Sequence, residues 1–195
     1  MSKAVATRMN ILQKAFDLIY RNGYHATSID NIVATTQVTK GAFFHHFKNK
    51  EEMGLAMIKE VMYPGMYSVL VKPLIESKEP MDEIYEMMKN VLLKEPFFQV
   101  RYGCPAVNLI EEMSPLNPSF NKTLAQLTTA WREAIETSIN QGKALGKIKK
   151  EADAGQVAYF IMAGYSGIRN MGKIYGTDCY QTYLQELKNY LKSLT

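Results

Sequence analysis

Apolar side chains recur at helical spacing through most of this chain. Near its start, one helical face carries Ile11, Leu12, Ala15, Phe16 and Ile19, which predicts a helix over about residues 5–22. Beyond residue 50, no segment alternates apolar and polar positions as a half-buried strand does. The pattern predicts an all-α fold.

Residues 27–53 predict two short helices joined by a tight turn, followed by the start of a longer helix. Thr27 is the predicted N-cap of the first helix, and Asp30, three residues later, is at the position of the reciprocal partner in a capping box. Asn49 is the predicted N-cap of the third helix. A helix, a short turn and a second helix form the geometry that places the second helix in the major groove of DNA.

The second short helix is predicted to begin at Thr39-Lys40-Gly41. Helical spacing turns Phe43 and Phe47 toward the core and leaves Phe44 and His45 on the outside together with the lysine. This helix is therefore expected to be anchored by two aromatic rings and to present cationic and aromatic groups outward.

Prolines and glycines divide the remainder of the chain. A long helix is predicted from Lys50 to Pro73, where it stops because proline clashes with the preceding helical turn, and Pro64 is an alternative, earlier position for a kink. Five further helices are predicted over about residues 80–94, 105–113, 118–143, 153–174 and 177–194. The predicted total is nine helices.

Charge is unevenly distributed along the 195 residues. The first 50 residues carry seven of the 23 Lys and Arg residues, all three His residues, and only two of the 19 acidic residues. A basic unit on a near-neutral body is typical of proteins that bind polyanions. Charge alone leaves a merely well-solvated surface equally open.

Composition sets further bounds. An apolar fraction of 47% is ample for a core, and no apolar run reaches the roughly 18 residues that a membrane-spanning helix needs. The N-terminus lacks the apolar stretch of a signal peptide. Two cysteines, Cys104 and Cys179, do not form a disulfide framework. We expect a cytoplasmic protein with no membrane association.

The stretch 38–47, VTKGAFFHHF, followed by KNKEE at 48–52, resembles the DNA-binding motif of the TetR family of transcriptional regulators. The resemblance is specific over about residues 7–58 and architectural beyond. It implies an N-terminal three-helix helix-turn-helix DNA-binding domain, residues 1–49, and a six-helix ligand-binding and dimerisation domain, residues 50–195. It further implies a homodimeric repressor, without a cofactor, that a small-molecule effector releases from a palindromic operator on double-stranded DNA.

Eight residues are predicted to contact DNA, namely Thr27, Ser28, Thr39, Lys40, Gly41, Phe44, His45 and Lys50. Helix N-termini present free N–H groups to phosphates, and Gly41 permits close backbone approach. Lys40 is expected to contact a guanine edge, and His45 and Lys50 are expected to contact phosphates. Phe44 departs from the family pattern, in which Tyr is common at this position. Phe lacks the hydroxyl group that would bond a phosphate, but it could contact a thymine methyl group or a sugar.

In the family that the chain resembles, a cavity in the body receives the effector. Ten residues are predicted to line it, namely Met62, Met66, Tyr67, Met88, Phe98, Tyr102, Cys104, Asn108, Trp131 and Tyr165. Methionine adapts to varied shapes and aromatic rings carry polar handles, which suits an apolar or aromatic effector. For any single residue of this set, ordinary core packing is the simpler explanation.

Small residues in 156–168 suit close helix packing. Members of the family dimerise through their last two helices, and on this resemblance Ala158, Gly164 and Gly167 are predicted at the dimer interface with Tyr183 and Leu187. A helix buried within one chain accounts for the same small residues.

Cys104 lies in a Gly-Cys-Pro stretch before a predicted helix. This stretch resembles one in the branch of the family that contains the N-ethylmaleimide reductase repressor, some of whose members sense electrophiles or oxidants through a cysteine there. A helix N-terminus stabilises a thiolate, which is the reactive form. The alternatives are thiol-based sensing through Cys104 and an inert cysteine that lines the pocket.

Two other classes of function, an enzyme and a protein-binding adaptor, agree less well with the sequence. An enzyme is not indicated, because no nucleophile with a local base, phosphate loop or zinc signature is present and the adjacent Glu111 and Glu112 cannot both face one site. His45 and His46 diverge by about 100° on a helix, so a metal site is not expected. A protein-binding adaptor would not explain the Thr-Lys-Gly turn or the charge distribution. Salt-sensitive binding to duplex DNA discriminates the regulator from both.

Overall fold

The computed structural model describes residues 2–77 and 79–195, and these residues form helices and turns without a strand. The elements are α1 (Lys3–Asn22), α2 (Ile29–Ala34), α3 (Lys40–His46), α4 (Lys50–Met57), a π-helical turn (Ile58–Met62), α5 (Tyr63–Leu70), α6 (Lys72–Glu76), α7 (Pro80–Leu93), a 3-10 turn (Val100–Tyr102), α8 (Pro105–Met113), α9 (Pro118–Ala144), α10 (Ala154–Tyr175) and α11 (Asp178–Ser193). The predicted all-α fold is confirmed. Met1 and Lys78 lie outside the described residues.

The helix predicted from Lys50 to Pro73 is interrupted next to Pro64, the earlier of the two predicted positions. The Tyr63 N–H donates to the Ile58 carbonyl, five residues back, in a π turn that directly precedes Pro64. Proline lacks an N–H and its ring clashes with the carbonyl four residues earlier, so a wider turn accommodates it. Helix α5 then ends at Leu70 rather than at Pro73, which lies in the first turn of α6.

The chain groups into two compact units. The first comprises Met1–Pro64 and Pro105–Ala125, and the second comprises Gly65–Cys104 and Gln126–Thr195. The predicted division into a DNA-binding domain and an effector domain after residue 49 is a functional one and stays a prediction.

The first unit is built around buried side chains of α1, α3, α4 and the start of α9, including Ile11, Leu12, Phe16, Phe43, Phe47, Met53, Met57 and Phe120. Tyr24 and Phe120 meet edge to face with ring centroids 4.9 Å apart. A Cβ at Gly54 would lie 2.8 Å from the Tyr24 ring and 2.9 Å from the Phe120 ring. The absence of a side chain at Gly54 therefore lets α4 approach both rings.

The second unit has its own core, which includes Met88, Val91, Trp131, Ile135, Ile161, Tyr165, Tyr180 and Leu184. Helices α10 and α11 pack closely where glycines of α10 meet tyrosines of α11. A Cβ at Gly164 would lie 2.6 Å from the Tyr183 hydroxyl oxygen, and one at Gly172 would overlap the Tyr180 ring. Across the described ranges, no helix combines the length and apolar character that crossing a membrane requires.

Candidate nucleic-acid interface and effector region

Helix α2 begins one residue later than predicted. Ser28 is its N-cap, and the Ser28 hydroxyl accepts from the Asn31 N–H at 3.0 Å while Asn31 Oδ1 accepts from the Ser28 N–H at 2.9 Å. The prediction that Thr27 is the cap is wrong, as is the answering role given to Asp30. The Thr27 hydroxyl donates to the Gly23 carbonyl at 2.8 Å, and the residue is 1% exposed.

These contacts change which side chain of this segment can meet a phosphate. The Thr27 hydroxyl is engaged and enclosed, so the structure does not support its predicted DNA contact. Ser28 is exposed at the start of α2, where the free N–H groups of the first turn also point outward.

Helix α3 presents the outward face that its sequence predicts. Thr39 caps it by accepting from the Ala42 N–H at 3.2 Å. Phe43 and Phe47 are buried with ring centroids 5.6 Å apart. Phe44 is 47% exposed, and His45 is also exposed. Two aromatic anchors thus fix α3 with its cationic and aromatic face in solvent.

Gly41 lies on that exposed face, and none of the described residues excludes a side chain at this position. A Cβ built at Gly41 would meet only the Thr39 hydroxyl oxygen, at 3.8 Å, which is ordinary van der Waals contact. Gly54 contrasts with it, because neighbouring rings exclude a side chain there. The space that Gly41 leaves is therefore on the outer surface of α3.

Lys40 and Asp30 form an ion pair of 2.8 Å, with side chains 56% and 71% exposed. An exposed pair of this kind contributes about 0.2–1 kcal/mol. Lys40 can therefore exchange Asp30 for another partner at little cost.

Lys50 is placed differently from its prediction. Its ammonium group donates to the Tyr24 carbonyl at 2.5 Å and lies 4.2 Å from the centroid of the Tyr24 ring. Burial lowers the pKa of Lys50, although the nearby Glu112 carboxylate opposes this. The ammonium group binds the chain itself, so the structure does not support a phosphate contact through it.

Glu112 of α8, which the sequence suggested only as a rejected catalytic acid, has a structural role. Its carboxylate accepts from the Tyr24 N–H at 2.8 Å and from the His25 N–H at 2.7 Å. These N–H groups belong to the loop between α1 and α2, 88 and 87 residues away in the chain. No local sequence signal could have paired residues at that separation.

The ten residues predicted to line an effector cavity are divided between the units, with Met62 and Asn108 in the first and the other eight in the second. Trp131 and Tyr165 meet edge to face, with centroids 5.1 Å apart. Buried members of the set are Met62, Met66, Met88, Phe98, Cys104, Trp131 and Tyr165, while Tyr67, Tyr102 and Asn108 are half-buried. Burial of this kind fits both core packing and an enclosed effector site, so the assignment stays a prediction.

Asn108 also borders a cavity within the first unit, of about 10 Å³, together with Pro105, Leu109 and Glu112. About one water molecule fits in a space of this size. It is too small for an effector.

Arg169 is a residue that the sequence analysis missed. It is fully buried in the second unit. Its position, four residues after Tyr165 and eight after Ile161, places it on the apolar face of α10. A charged residue on the buried face of a helix is the signal that could have identified it.

The residues predicted at a dimer interface fall into two groups. Ala158 and Leu187 are buried in their own unit, and Gly164 is packed against Tyr183 of the same chain. These contacts account for them within one chain, so the structure does not support their assignment to a dimer surface. A Cβ at Gly167 would meet nothing within 4 Å, so Gly167 alone of the three small residues faces open space.

Gly167 lies in an exposed stripe along α10. The stripe consists of Phe160, Ala163, Gly167, Met171 and Ile174, all exposed, at spacings of three and four residues that keep them on one helical face. Phe160, Met171 and Ile174 are 55%, 50% and 76% exposed. Contiguous exposed apolar residues of this kind mark interaction surfaces.

In the described ranges no group of three or more His, Cys, Asp or Glu side chains is placed to hold a metal ion. His45 and His46 meet edge to face with ring centroids 5.3 Å apart. Desolvation lowers the pKa of His46, and the neighbouring His45 lowers it further.

Two family descriptions match the chain. Residues 11–57 match the bacterial regulatory proteins of the tetR family, and residues 81–186 match the tetracyclin repressor-like C-terminal domain. An uncharacterized HTH-type transcriptional regulator in the lacX 3' region of Lactococcus lactis subsp. lactis is 31% identical over 134 residues, which is 69% of this chain and 68% of that protein.

Solved structures show the same fold. A TetR-family transcriptional regulator from Cytophaga hutchinsonii superimposes with a TM-score of 0.87 at 18% identity, over 100% of this chain and 97% of that one. The reduced form of Escherichia coli NemR superimposes with a TM-score of 0.83 at 22% identity, over 94% of this chain and 96% of that one.

Proposed function

This chain belongs to the tetR family of bacterial transcriptional regulators, and we propose that it is a homodimeric repressor that a small-molecule effector releases from a palindromic operator. The family resemblance that residues 38–52 predict is thereby confirmed. Homodimerisation, repression, the palindromic operator and the small-molecule effector go beyond the family assignment.

The observation that carries the proposal is the outer face of α3. Lys40, Gly41, Phe44 and His45 are exposed there, while two buried phenylalanines hold the helix from behind. Room for a Cβ at Gly41 fits a surface whose glycine serves an external partner. A DNA backbone approaching the N-terminus of α3 would use that space and the free N–H groups beside it.

We assign dimerisation to the exposed apolar stripe of α10, which includes Gly167 but none of the other residues first predicted at the interface. An isologous dimer buries the same stripe of both protomers. Because such a dimer has two-fold symmetry, the operator that it binds is expected to have two-fold symmetry as well. Half-sites one helical turn apart lie about 34–36 Å from each other. An effector that changes the separation of the two reading helices would therefore release the DNA.

A direct test is selection of genomic fragments by the purified protein, followed by fluorescence anisotropy at several salt concentrations. We expect an inverted repeat, with an affinity that falls steeply as salt rises because phosphate contacts release counterions. Binding that ignores salt, or selected fragments without a shared repeat, would argue for a protein-binding module instead.

Gly41→Ala supplies a matched variant for this test. Alanine gains up to about 1 kcal/mol over glycine in a helix, and the chain has room for its methyl group. The variant should therefore melt at or above the wild-type temperature and yet bind the operator more weakly. Undiminished binding would remove α3 from the proposed interface.

Thiol sensing through Cys104 is a second candidate function, and one observation favours it. Arg169 donates to the carbonyl of the adjacent Gly103, and a Cβ at Gly103 would meet the end of the Lys173 side chain. Cationic side chains beside the residue that precedes a cysteine are a setting typical of reactive cysteines. Burial opposes this role, because Cys104 is 1% exposed.

A further inference from the structure

Arg169 is a buried cation whose hydrogen-bonding capacity is only partly used. Its Nη2 donates to the Gly103 carbonyl oxygen. Its Nε and Nη1 are buried and have no hydrogen-bond partner in the described part of the chain. An arginine offers five N–H donors and is always charged, so donors on two of its three nitrogens are left for another group.

No carboxylate of the described residues pairs with Arg169. By contrast, Arg132 on α9 of the same unit forms ion pairs with Glu133 and Glu136. The charge of Arg132 is therefore compensated within the chain. Arg169 instead lies beneath two rings, 5.2 Å from the Phe98 centroid and 5.6 Å from the Tyr180 centroid. Ring faces attract a cation, but they do not neutralise its charge.

Buried charges in proteins are normally paired, because an unpaired charge away from water is costly. A water molecule could accept a hydrogen bond from Nε or Nη1, but it would leave the positive charge uncompensated. An oxyanion supplies acceptors and the opposite charge together, and a carboxylate matches the planar guanidinium group.

We propose that Arg169 binds the carboxylate of the effector, which makes the effector class a small organic acid with an apolar or aromatic body. The rings of Phe98 and Tyr180 and the buried Cys104 beside Gly103 provide apolar surroundings for that body. This inference rests on the proposed function, since it names the class of molecule that the regulator senses.

The test uses formate and acetate, the carboxylates that need least room, on the purified full-length protein. Melting temperatures are compared in sodium acetate or formate and in sodium chloride at equal ionic strength and pH 7. A ligand that binds only the folded state raises the melting temperature by mass action. We expect a rise of about 2–4 °C for the wild type, which corresponds to a stabilisation of about 1 kcal/mol in a chain of this length.

Arg169→Met keeps an unbranched apolar stem and removes the guanidinium group with its charge. We expect it to lose the acetate shift, and to melt at or above the wild type in chloride, because it relieves an unpaired buried charge. Arg132→Met is the matched control, and it should keep the full wild-type shift. Benzoate compared with benzamide then tests the apolar body, and only benzoate should bind.

Equal shifts in wild type and Arg169→Met, or no shift in the wild type, would overturn the assignment. If Arg169→Met does not fold, Arg169→Lys replaces it, and an acetate dissociation constant raised less than tenfold would count against Arg169. Operator binding is measured separately on each protein. If carboxylates bind but the operator DNA is not released, the ligand class is supported and release by an effector of this class is contradicted. If the protein binds operator DNA but no carboxylate raises its melting temperature, the DNA-binding function is supported and the ligand class is contradicted.

Discussion

Glu112 and His25 are joined twice through a single carboxylate oxygen. The His25 backbone N–H lies 2.7 Å from Glu112 Oε1, and the His25 Nδ1 lies 2.8 Å from the same atom. The other oxygen, Oε2, accepts from the Tyr24 N–H at 2.8 Å. One side chain of α8 thereby fixes the loop that leads into α2.

The first prediction concerns the pH dependence of this contact. Partial burial alone would raise the pKa of Glu112, but the hydrogen bonds from His25 and Tyr24 outweigh it and lower the pKa from its usual 4.5. A lowered folded-state pKa contributes stability that is present above the unfolded value and is lost as pH falls through the folded value. Glu112→Gln should therefore cost about 1–3 kcal/mol at pH 7 and progressively less below pH 4.5.

Urea denaturation from pH 3 to pH 7 measures this difference. Glu151→Gln is the control, because Glu151 is an exposed carboxylate in the turn before α10, and its substitution should leave stability within about 0.5 kcal/mol. A Glu112→Gln penalty that stays constant from pH 3 to pH 7 would show that shape rather than charge holds the loop.

The choice of N-cap for α2 shows a limit of sequence reasoning. Thr27 and Ser28 are adjacent hydroxyl residues, and either could cap the helix by propensity. Two hydrogen bonds decide between them, since Thr27 turns back to Gly23 while Ser28 finds its answering partner in Asn31. The helix itself was predictable, because its apolar spacing is local, but the exact cap depended on a bond pattern that propensity does not encode.

The second prediction concerns base recognition. Lys40→Ala should weaken operator binding by about 1–3 kcal/mol and relax the preference for one base. Its stability should change by less than about 0.5 kcal/mol, because the lost pair with Asp30 is exposed.

His45→Ala provides the comparison for Lys40→Ala. Loss of a phosphate contact weakens binding to all sequences alike and makes the salt slope shallower. Anisotropy on the operator and on single-base variants separates the two patterns. If Lys40→Ala retains both affinity and base preference while folded, Lys40 does not read the DNA.

The third prediction separates two glycines of α10. Gly167→Leu adds bulk on the exposed stripe and should weaken the dimer while each protomer stays folded. Gly164→Leu would collide with Tyr183 and should destabilise the fold, by about 1–3 kcal/mol for an overpacked contact. The sequence shows the same residue type at both positions, and only the packing of α10 on α11 distinguishes them.

Sedimentation velocity at micromolar concentration measures the dimer. Ile174→Lys should also dissociate it, because a charge would enter the apolar stripe. Leu145→Lys is the matched control, since Leu145 is 59% exposed and lies outside the stripe. A wild-type protein that sediments as a folded monomer, or equal effects of the two lysine variants, would contradict an interface at this stripe.

The contacts of Glu112 and Arg169 mark what the sequence could not predict. Both join segments more than 60 residues apart, with separations of 87 residues for Glu112 and His25 and 66 for Arg169 and Gly103. Helix periodicity reports only which face of one element is apolar. It placed the outward face of α3 correctly, because that face is determined within seven residues.

The last prediction concerns the two cysteines. Cys104 is buried, whereas Cys179 is half-buried and its thiol donates to the Gly176 carbonyl at 3.2 Å. Burial raises the pKa of Cys179, which slows its reaction but leaves it accessible. We expect N-ethylmaleimide to label Cys179 before Cys104, as followed by peptide mass spectrometry.

Sensing through Cys104 further requires that the slower modification releases operator DNA from wild type and from Cys179→Ser, while Cys104→Ser stays bound. Release that follows the labelling of Cys179, or release from all three proteins alike, would exclude Cys104 as the switch, and a reversible effector would then be the signal.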